Sequence, residues 1–432
     1  MSQYTKYYLY KKQQRISGSS DPWVDVIPTT YSYNANGTQT PVVVESASTD
    51  CGYVPPIEPK YEWRNMNINT DYICENCYYT NYLTFKTLES GTFSFSNSVS
   101  YSLDDGATWV NLSSNTQTPY IEANETIMWK ANLIRNGNGI GHFSSTGMYE
   151  VNGNVMSLMY GDNFQKQVSL SGLSYQFAFL FQNSTKLVSA EDFVLPSNEL
   201  TTYCYEGMFE NCTMLTKAPK LIATTLNAYC YYHMFRGCTN LTEAPDLPAT
   251  TLAQDCYAEM FVGCTSLTKA PDLHATTLAQ ECYGWMFSGC TSLTTAPELP
   301  ATTLANGCYG YMFNGCTALT TPPSVLPATR ASSYCYYNMF VNCRNITKSP
   351  DVMLTSSANR ACTNMFYGCS KLSYIKAMFL TAPSESSGYL YWTLNWVYGV
   401  ASEGIFVKNS AATWDVRGAS GIPTNWTVQL SD

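Results

Sequence analysis

The feature that most narrows what this chain can fold into is a phrase, Cys-Tyr-x-x-Met-Phe-x-x-Cys, that returns at a nearly constant interval. It runs from Cys204 to Cys212, Cys230 to Cys238, Cys256 to Cys264, Cys282 to Cys290, Cys308 to Cys316 and Cys335 to Cys343, the first cysteine stepping by 26, 26, 26, 26 and 27 residues. A seventh copy, Cys362 to Cys369, follows after 27 residues and is one residue shorter; Phe177-Ala-Phe-Leu-Phe-Gln-Asn-Ser184 reads as a degenerate first copy. A period in this range means a stack of supersecondary units. One such unit cannot bury its own apolar face, whereas neighbours laid on one another share a continuous core, and terminal units are atypical because they cap it.

Within one unit, the piece 266–270 is short, bears Thr268 and is closed by Pro271, which suits one brief strand that cannot continue. In 277–287, Leu278, Cys282 and Met286 stand four apart, the spacing of one face of a short helix, and Gly289 would end it. The expectation is therefore a strand, a turn and a helical segment per unit, stacked at roughly the 4.8 Å spacing of adjacent strands into a rod about 40 Å long.

The phrase Met234-Phe235-Arg-Gly237-Cys238-Thr-Asn-Leu241-Thr242 and its copies resemble the BspA-type (Treponema-type) leucine-rich repeats of bacterial surface proteins, over about half of the chain. Wording such as Thr295-Ala-Pro-Glu-Leu-Pro-Ala-Thr-Thr-Leu304 resembles the versions found in gut Bacteroidales and the bacteriophages that infect them, and the stretches 395–400 and 421–428 resemble the terminal module of such proteins. The resemblance implies attachment, adhesion or receptor recognition, and no particular ligand.

Seventeen cysteines invite a disulfide or metal reading. Fourteen of them are the per-unit positions: Cys204, Cys212, Cys230, Cys238, Cys256, Cys264, Cys282, Cys290, Cys308, Cys316, Cys335, Cys343, Cys362 and Cys369. A ladder of small buried thiols, each a weak S–H donor turned to loop backbone, explains all of these at once. Cys74-Glu-Asn-Cys77 is half of a zinc spacing without a second half, Cys51 stands alone, and His142, His233 and His274 are far off in sequence, so no metal and no cofactor are expected. Ser102-Leu-Asp104-Asp-Gly106-Ala-Thr108-Trp109 matches the Asp-box of sialidases; a single box reads as a hairpin with Asp and Gly in the turn and Trp packed beneath. Three His in separate segments assemble no catalytic triad, and no phosphate loop is present, so the chain is expected not to be an enzyme.

Charged residues make up 13% of the chain, the net charge is −9, and lysine and arginine never run beyond the pair Lys11-Lys12, which argues against nucleic acid as a partner. No apolar stretch approaches the roughly 18 residues of a membrane span. The opening MSQYTKYYLYKKQQR lacks the apolar core and cleavage site of a secretory signal. A surface-type composition without that signal is what a phage virion protein, released by lysis, would show.

The expected fold is β-rich with an α/β solenoid, in four parts: 1–60, an N-terminal β-rich anchoring segment with a Pro linker at 53–59; 61–163, a β-sandwich inferred from strands recurring every 8 to 12 residues; 164–382, a leucine-rich repeat solenoid of about eight units; and 383–432, a C-terminal β cap. Among the copies, Cys, Tyr, Met and Phe hardly change, whereas the residue before Met runs Gly207, His233, Glu259, Trp285, Tyr311, Asn338. Positions released from packing are available for recognition, and Trp285 with Tyr311 could form an aromatic platform for a sugar or protein. His233, Glu259, Trp285, Tyr311 and Asn338 are thus the candidate ligand-binding residues; Asp246, Asp272 and Glu298 form a second row of carboxylates that would bond turn amides. The expected function is non-enzymatic attachment by a phage head or tail fibre, homo-oligomeric as fibres usually are and often trimeric. Other virion proteins would be partners through the N-terminal region, and a host-surface protein or glycan through the repeats. The alternative is a bacterial cell-surface adhesin with the same repeats.

Overall fold

The structure, a computed structural model, describes residues 8–16, 24–33, 39–43, 61–66, 81–135, 137, 139–383 and 391–431, the first four stretches as backbone only. The chain divides into two units, 1–80 and 81–432. In the first, β1 (Tyr8–Ile16), β2 (Val24–Tyr33), β3 (Gln39–Val43) and β4 (Tyr61–Met66) make an antiparallel sheet in the order β3-β2-β1-β4. Because β4 pairs with β1, the N-terminal unit reaches past the boundary read at residue 60. The Pro-rich run 53–59 and Cys51, Cys74 and Cys77 lie outside the described residues.

The second unit is β-rich with very little helix. Its helical elements among the described residues are the single turn Ser157–Tyr160 and the 3₁₀ segment Gly161–Lys166. It opens with two facing sheets. Leu83–Thr87, with Leu83, Phe85 and Thr87 buried in strict alternation, lies between Tyr149–Asn154 and Thr126–Lys130 in the larger sheet. Phe93–Phe95 pairs with Phe143–Ser145 in the smaller one. Phe85 of the larger sheet meets Phe93 and Phe143 of the smaller at ring-centroid distances of 5.4 and 4.8 Å. The Asp-box is a hairpin between Val99–Ser102 and Val110–Leu112, with Asp105 and Gly106 at positive φ. Asp104 accepts from the Thr108 amide and hydroxyl at 2.8 and 2.7 Å, and these bonds, with one from Ser102, pull its carboxyl down to about 2.

From residue 175 onward the chain winds into stacked coils, and here the structure corrects the helical expectation. The segments read as helices are runs of tight turns: 175–184, 203–212, 229–238, 255–264, 281–290, 307–316, 334–343 and 360–369. In 229–238 the amides of Cys230, Tyr232, Met234, Arg236 and Cys238 bond three residues back. Those of Tyr231, His233, Phe235 and Gly237 bond carbonyls of the next coil, at 2.8 to 3.3 Å. A helix would send every amide four residues back along its own chain. Alternate donors instead join neighbouring coils, so the ladder that satisfies the backbone also holds the stack together. The four-residue apolar spacing survives because the turns repeat every four residues: positive φ falls at Tyr229, His233 and Gly237, and at Glu281, Trp285 and Gly289. Gly289 is thus the third left-handed position of its run.

On the opposite side of each coil the strand shrinks to single parallel bridges such as Glu243↔Lys269 and Thr295↔Thr321. Pro245, Pro271 and Pro297, each two residues beyond a bridging position or its equivalent, have no amide to extend the pairing. Longer strands form at the two ends: Leu187–Ser189 and Phe193–Val194 pair in parallel with Tyr149–Asn154, and Val325–Leu326, Lys348–Val352, Tyr374–Ala377, Ile405–Asn409 and Thr427–Ser431 make a parallel five-stranded sheet.

Between the two sides the core is built from rows of identical side chains. Phe209, Phe235, Phe261, Phe287, Phe313, Phe340 and Phe366 stack at 5.4 to 5.7 Å, the planes of successive rings within 12° of parallel. Tyr205, Tyr231, Tyr257, Tyr283, Tyr309 and Tyr336 form a second buried row at 5.7 to 6.0 Å. The fourteen repeat cysteines are buried and free. Cys212, Cys238, Cys264, Cys290, Cys316, Cys343 and Cys369 each donate S–H, at 3.0 to 3.1 Å, to the carbonyl of the Phe one coil earlier. In the degenerate first copy the Ser184 hydroxyl makes the same bond to Phe143 at 2.9 Å. One cysteine is displaced from its expected row. The Tyr336 amide bonds Ala361, which therefore holds the first-cysteine position, and Cys362 stands in the tyrosine row. The seventh copy is then not short at all: Ala361 to Cys369 has the usual length.

Candidate binding surface

Each of these eight turn runs has three left-handed positions, which make three parallel rows on one side of the stack, and a ninth run, 392–399, adds Asn395 and Gly399 to two of them. The row nearest the second cysteine is Asn183, Asn211, Gly237, Gly263, Gly289, Gly315, Asn342, Gly368, all at positive φ. Gly and Asn are the residues that tolerate this conformation most cheaply. The other two rows share that conformation yet carry bulky side chains. One holds Tyr175, Tyr203, Tyr229, Asp255, Glu281, Gly307, Tyr334 and Arg360; the other holds Phe179, Gly207, His233, Glu259, Trp285, Tyr311, Asn338 and Asn364. The residues singled out as variable are this second row. Their variability was legible in the sequence; their backbone conformation was not.

The structure brings His233, Glu259, Trp285 and Tyr311 onto one face, each half-buried, but Asn338 is only 7% exposed and does not belong to an accessible surface. Beside it the tyrosines pack on one another, Tyr311 edge-on to Tyr337 at 5.2 Å and Tyr337 edge-on to Tyr334 at 5.4 Å. Trp285 and Tyr311 are not a two-ring platform. Their rings stack on each other at 4.4 Å and 10°, so each covers one face of the other. Because the stack runs along the coil axis, rims and not faces look outward. Tyr175, Tyr203 and Tyr229 repeat the arrangement at 4.4 and 4.6 Å.

Between these two aromatic stacks lies a charged group that sequence reasoning did not assemble, because its members come from two coils. Glu259 Oε2 lies 3.1 Å from His233 Nε2 and 3.0 Å from Arg236 Nη1, while the Tyr232 hydroxyl donates to Glu259 Oε1 at 3.2 Å. Tyr232 and His233 stack at 3.7 Å. Burial alone would raise the Glu259 carboxyl, but His233 and Arg236 outweigh it and hold the group below its ordinary range. Glu206 has the opposite fate: burial, reinforced by Glu210 and opposed by His233, pushes it up to about 7.

The second carboxylate row is split. Glu298 accepts from the Ser324 amide at 3.0 Å and from its hydroxyl at 2.8 Å, whereas Asp246 and Asp272 are exposed. Among the described residues no group of three His, Cys, Asp or Glu side chains is placed to hold a metal, and no helix is long and apolar enough to cross a membrane. No protein-family model matches the chain, and neither does any curated protein or solved structure.

Proposed function

We propose that this chain is a non-enzymatic attachment protein on a bacteriophage virion, a head or tail fibre, whose coils form a BspA-type leucine-rich-repeat solenoid that contacts the host surface or its glycans. What carries the reading is the contrast between rows. The buried Cys, Tyr, Met and Phe rows keep their residue type from coil to coil, while two left-handed rows hold Tyr, His, Glu, Trp and Arg on a backbone better suited to Gly or Asn. A scaffold that is uniform inside and varied along one face is built for recognition. The N-terminal unit, 1–80, would join other virion proteins, and the fibre would be a homo-oligomer, a trimer by the usual habit of fibres.

Mass spectrometry of purified particles should find the chain, and the purified protein should compete with particles for adsorption to host cells. Its absence from particles defeats the reading. Deleting residues 1–80 should prevent incorporation while leaving the stack folded; unchanged incorporation would remove the anchoring role.

A further inference from the structure

The last turn run, 392–399, is followed by no further run, and the segment after it satisfies the outward amides only in part. The Asn395 amide donates to the Ser420 hydroxyl at 3.0 Å, and the Val397 amide to the Ala419 carbonyl at 3.0 Å. The Gly399 amide, next in the series, has no hydrogen-bond partner among the described residues. Its equivalents at Gly237, Gly263, Gly289, Gly315, Asn342 and Gly368 each donate to a carbonyl of the next coil, at 2.8 to 2.9 Å. Beside this open rung, Tyr398 ends a row of its own: it stacks on Tyr367 of the preceding coil at 4.9 Å and 17°, and is 52% exposed against 37% for Tyr367. A cavity of about 240 Å³ opens here, lined among others by Tyr398, Gly399, Ser402, Gly418, Thr424 and Asn425. All of its lining comes from the last coil or the segment that closes it and none from the coil of Tyr367, so it lies on the side of Tyr398 away from that ring. A Cβ added at Gly418 would meet nothing within 4 Å.

We infer that this cavity binds one pyranose ring of a neutral saccharide, its C–H face against Tyr398 and one of its oxygens accepting from the Gly399 amide; as a contact for host glycans it rests on the attachment reading above. Size sets the extent: the volume falls below the roughly 300 Å³ at which pockets for drug-sized ligands begin, so it takes one ring and leaves the rest of a chain outside. Charge sets the class. No charged side chain lines the cavity, and the nearby Arg417 is committed to Asp415 at 3.1 Å and to the Trp426 carbonyl at 3.0 Å. A charged sugar would give up hydration there without gaining a counter-charge. The hydroxyls of Ser402 and Thr424 and the amide of Asn425 both donate and accept, which suits a rim of sugar hydroxyls. A wholly apolar ligand would bury the Gly399 amide unmet, at a cost of about 1 to 3 kcal/mol.

Calorimetric titration of the full chain with the methyl glycosides of glucose, galactose, mannose and N-acetylglucosamine tests this, with N-acetylneuraminic acid as the acidic comparison. At least one neutral glycoside should bind with a dissociation constant on the order of 1 mM or tighter. Tyr398→Ala, which removes the aromatic wall, and Thr424→Trp, which puts a large side chain at the exposed rim, should each weaken binding at least about tenfold. Thr302→Ala, many coils away on the strand side, should leave it unchanged. Circular dichroism and thermal melting verify each variant's fold, and should Tyr398→Ala unfold, Thr424→Trp decides, since it leaves the Tyr367–Tyr398 stack in place. The inference is overturned if none of the four neutral glycosides binds, if N-acetylneuraminic acid binds as tightly as the best of them, or if a folded Tyr398→Ala or Thr424→Trp binds like the parent. Adsorption competition and particle incorporation are separate readouts, so either idea can fail while the other stands.

Discussion

Tyr257 shows how far packing can override polarity at the scale of one residue. Its ring lies in the buried tyrosine row, 5.7 Å from Tyr231 and 5.9 Å from Tyr283, yet its hydroxyl has no hydrogen-bond partner, and the same holds for Tyr205 and Tyr309. An unmet buried hydroxyl costs about 1 to 3 kcal/mol, so Tyr257→Phe should raise stability by about 1 kcal/mol, read as a higher urea midpoint with an unchanged slope. The thiols make the complementary case, since their donors are used. Burial pushes Cys264 and Cys316 up to about 12 from an ordinary 9. With the native value raised, the stabilisation is fully present below pH 9 and is lost as pH climbs from 9 to about 12, because the unfolded chain ionises first. Each such thiol steepens the loss by about 1.4 kcal/mol per pH unit. Urea midpoints measured from pH 8 to 11 should fall progressively more steeply above 9, and substituting Cys264 by Ser, the residue that does its work at 184, should lessen the slope.

At the scale of the element, the turn run explains why residue spacing misled. Leu278, Cys282 and Met286 fit a helix and a four-residue turn repeat equally well; what separates the two is whether alternate amides find carbonyls on another coil, and those carbonyls lie about 25 residues away. The runs can be tested through their third left-handed position. A Cβ at Gly263 would meet nothing within 4 Å, so Gly263→Ala isolates the cost of positive φ, here 72°. It should destabilise by about 1 kcal/mol, whereas Gly263→Asn should be nearly neutral, since Asn211 and Asn342 hold equivalent positions. Thermal melts of the two variants would decide it, and equal losses would contradict the account of the rows. By the same reasoning Glu281→Asn, at φ 52°, should stabilise by a few tenths to about 1 kcal/mol.

For the whole molecule, the hydrogen-bond ladder and the Phe and Cys rows link each coil chiefly to its neighbours, so stability should accumulate coil by coil. Removing residues 256–281, one complete period of 26, joins Asp255 to Cys282 and returns every row to register. That deletion should still fold cooperatively with a modest fall in melting temperature. Removing 256–280 leaves one residue too many at the head of a turn run, where the alternating amide bonds have no place for it, unlike the step of 27 across which Phe313 and Phe340 still stack; loss of the cooperative transition in that variant, and in that variant only, is the expected result by circular dichroism.

What the sequence determined by itself was the periodic core: a cysteine every 26 residues, the Met-Phe pair and the closing Leu announce one shared apolar interior, because repetition of side chains is visible along the chain. It also showed which positions vary from coil to coil. Only the tertiary structure decided that the intervening segments are turn runs, that Cys362 changes rows, that Asn338 is enclosed, and that Trp285 and Tyr311 stack face to face. Each of these depends on contacts between coils, and a residue's partner one coil away leaves no mark on its immediate neighbours in sequence.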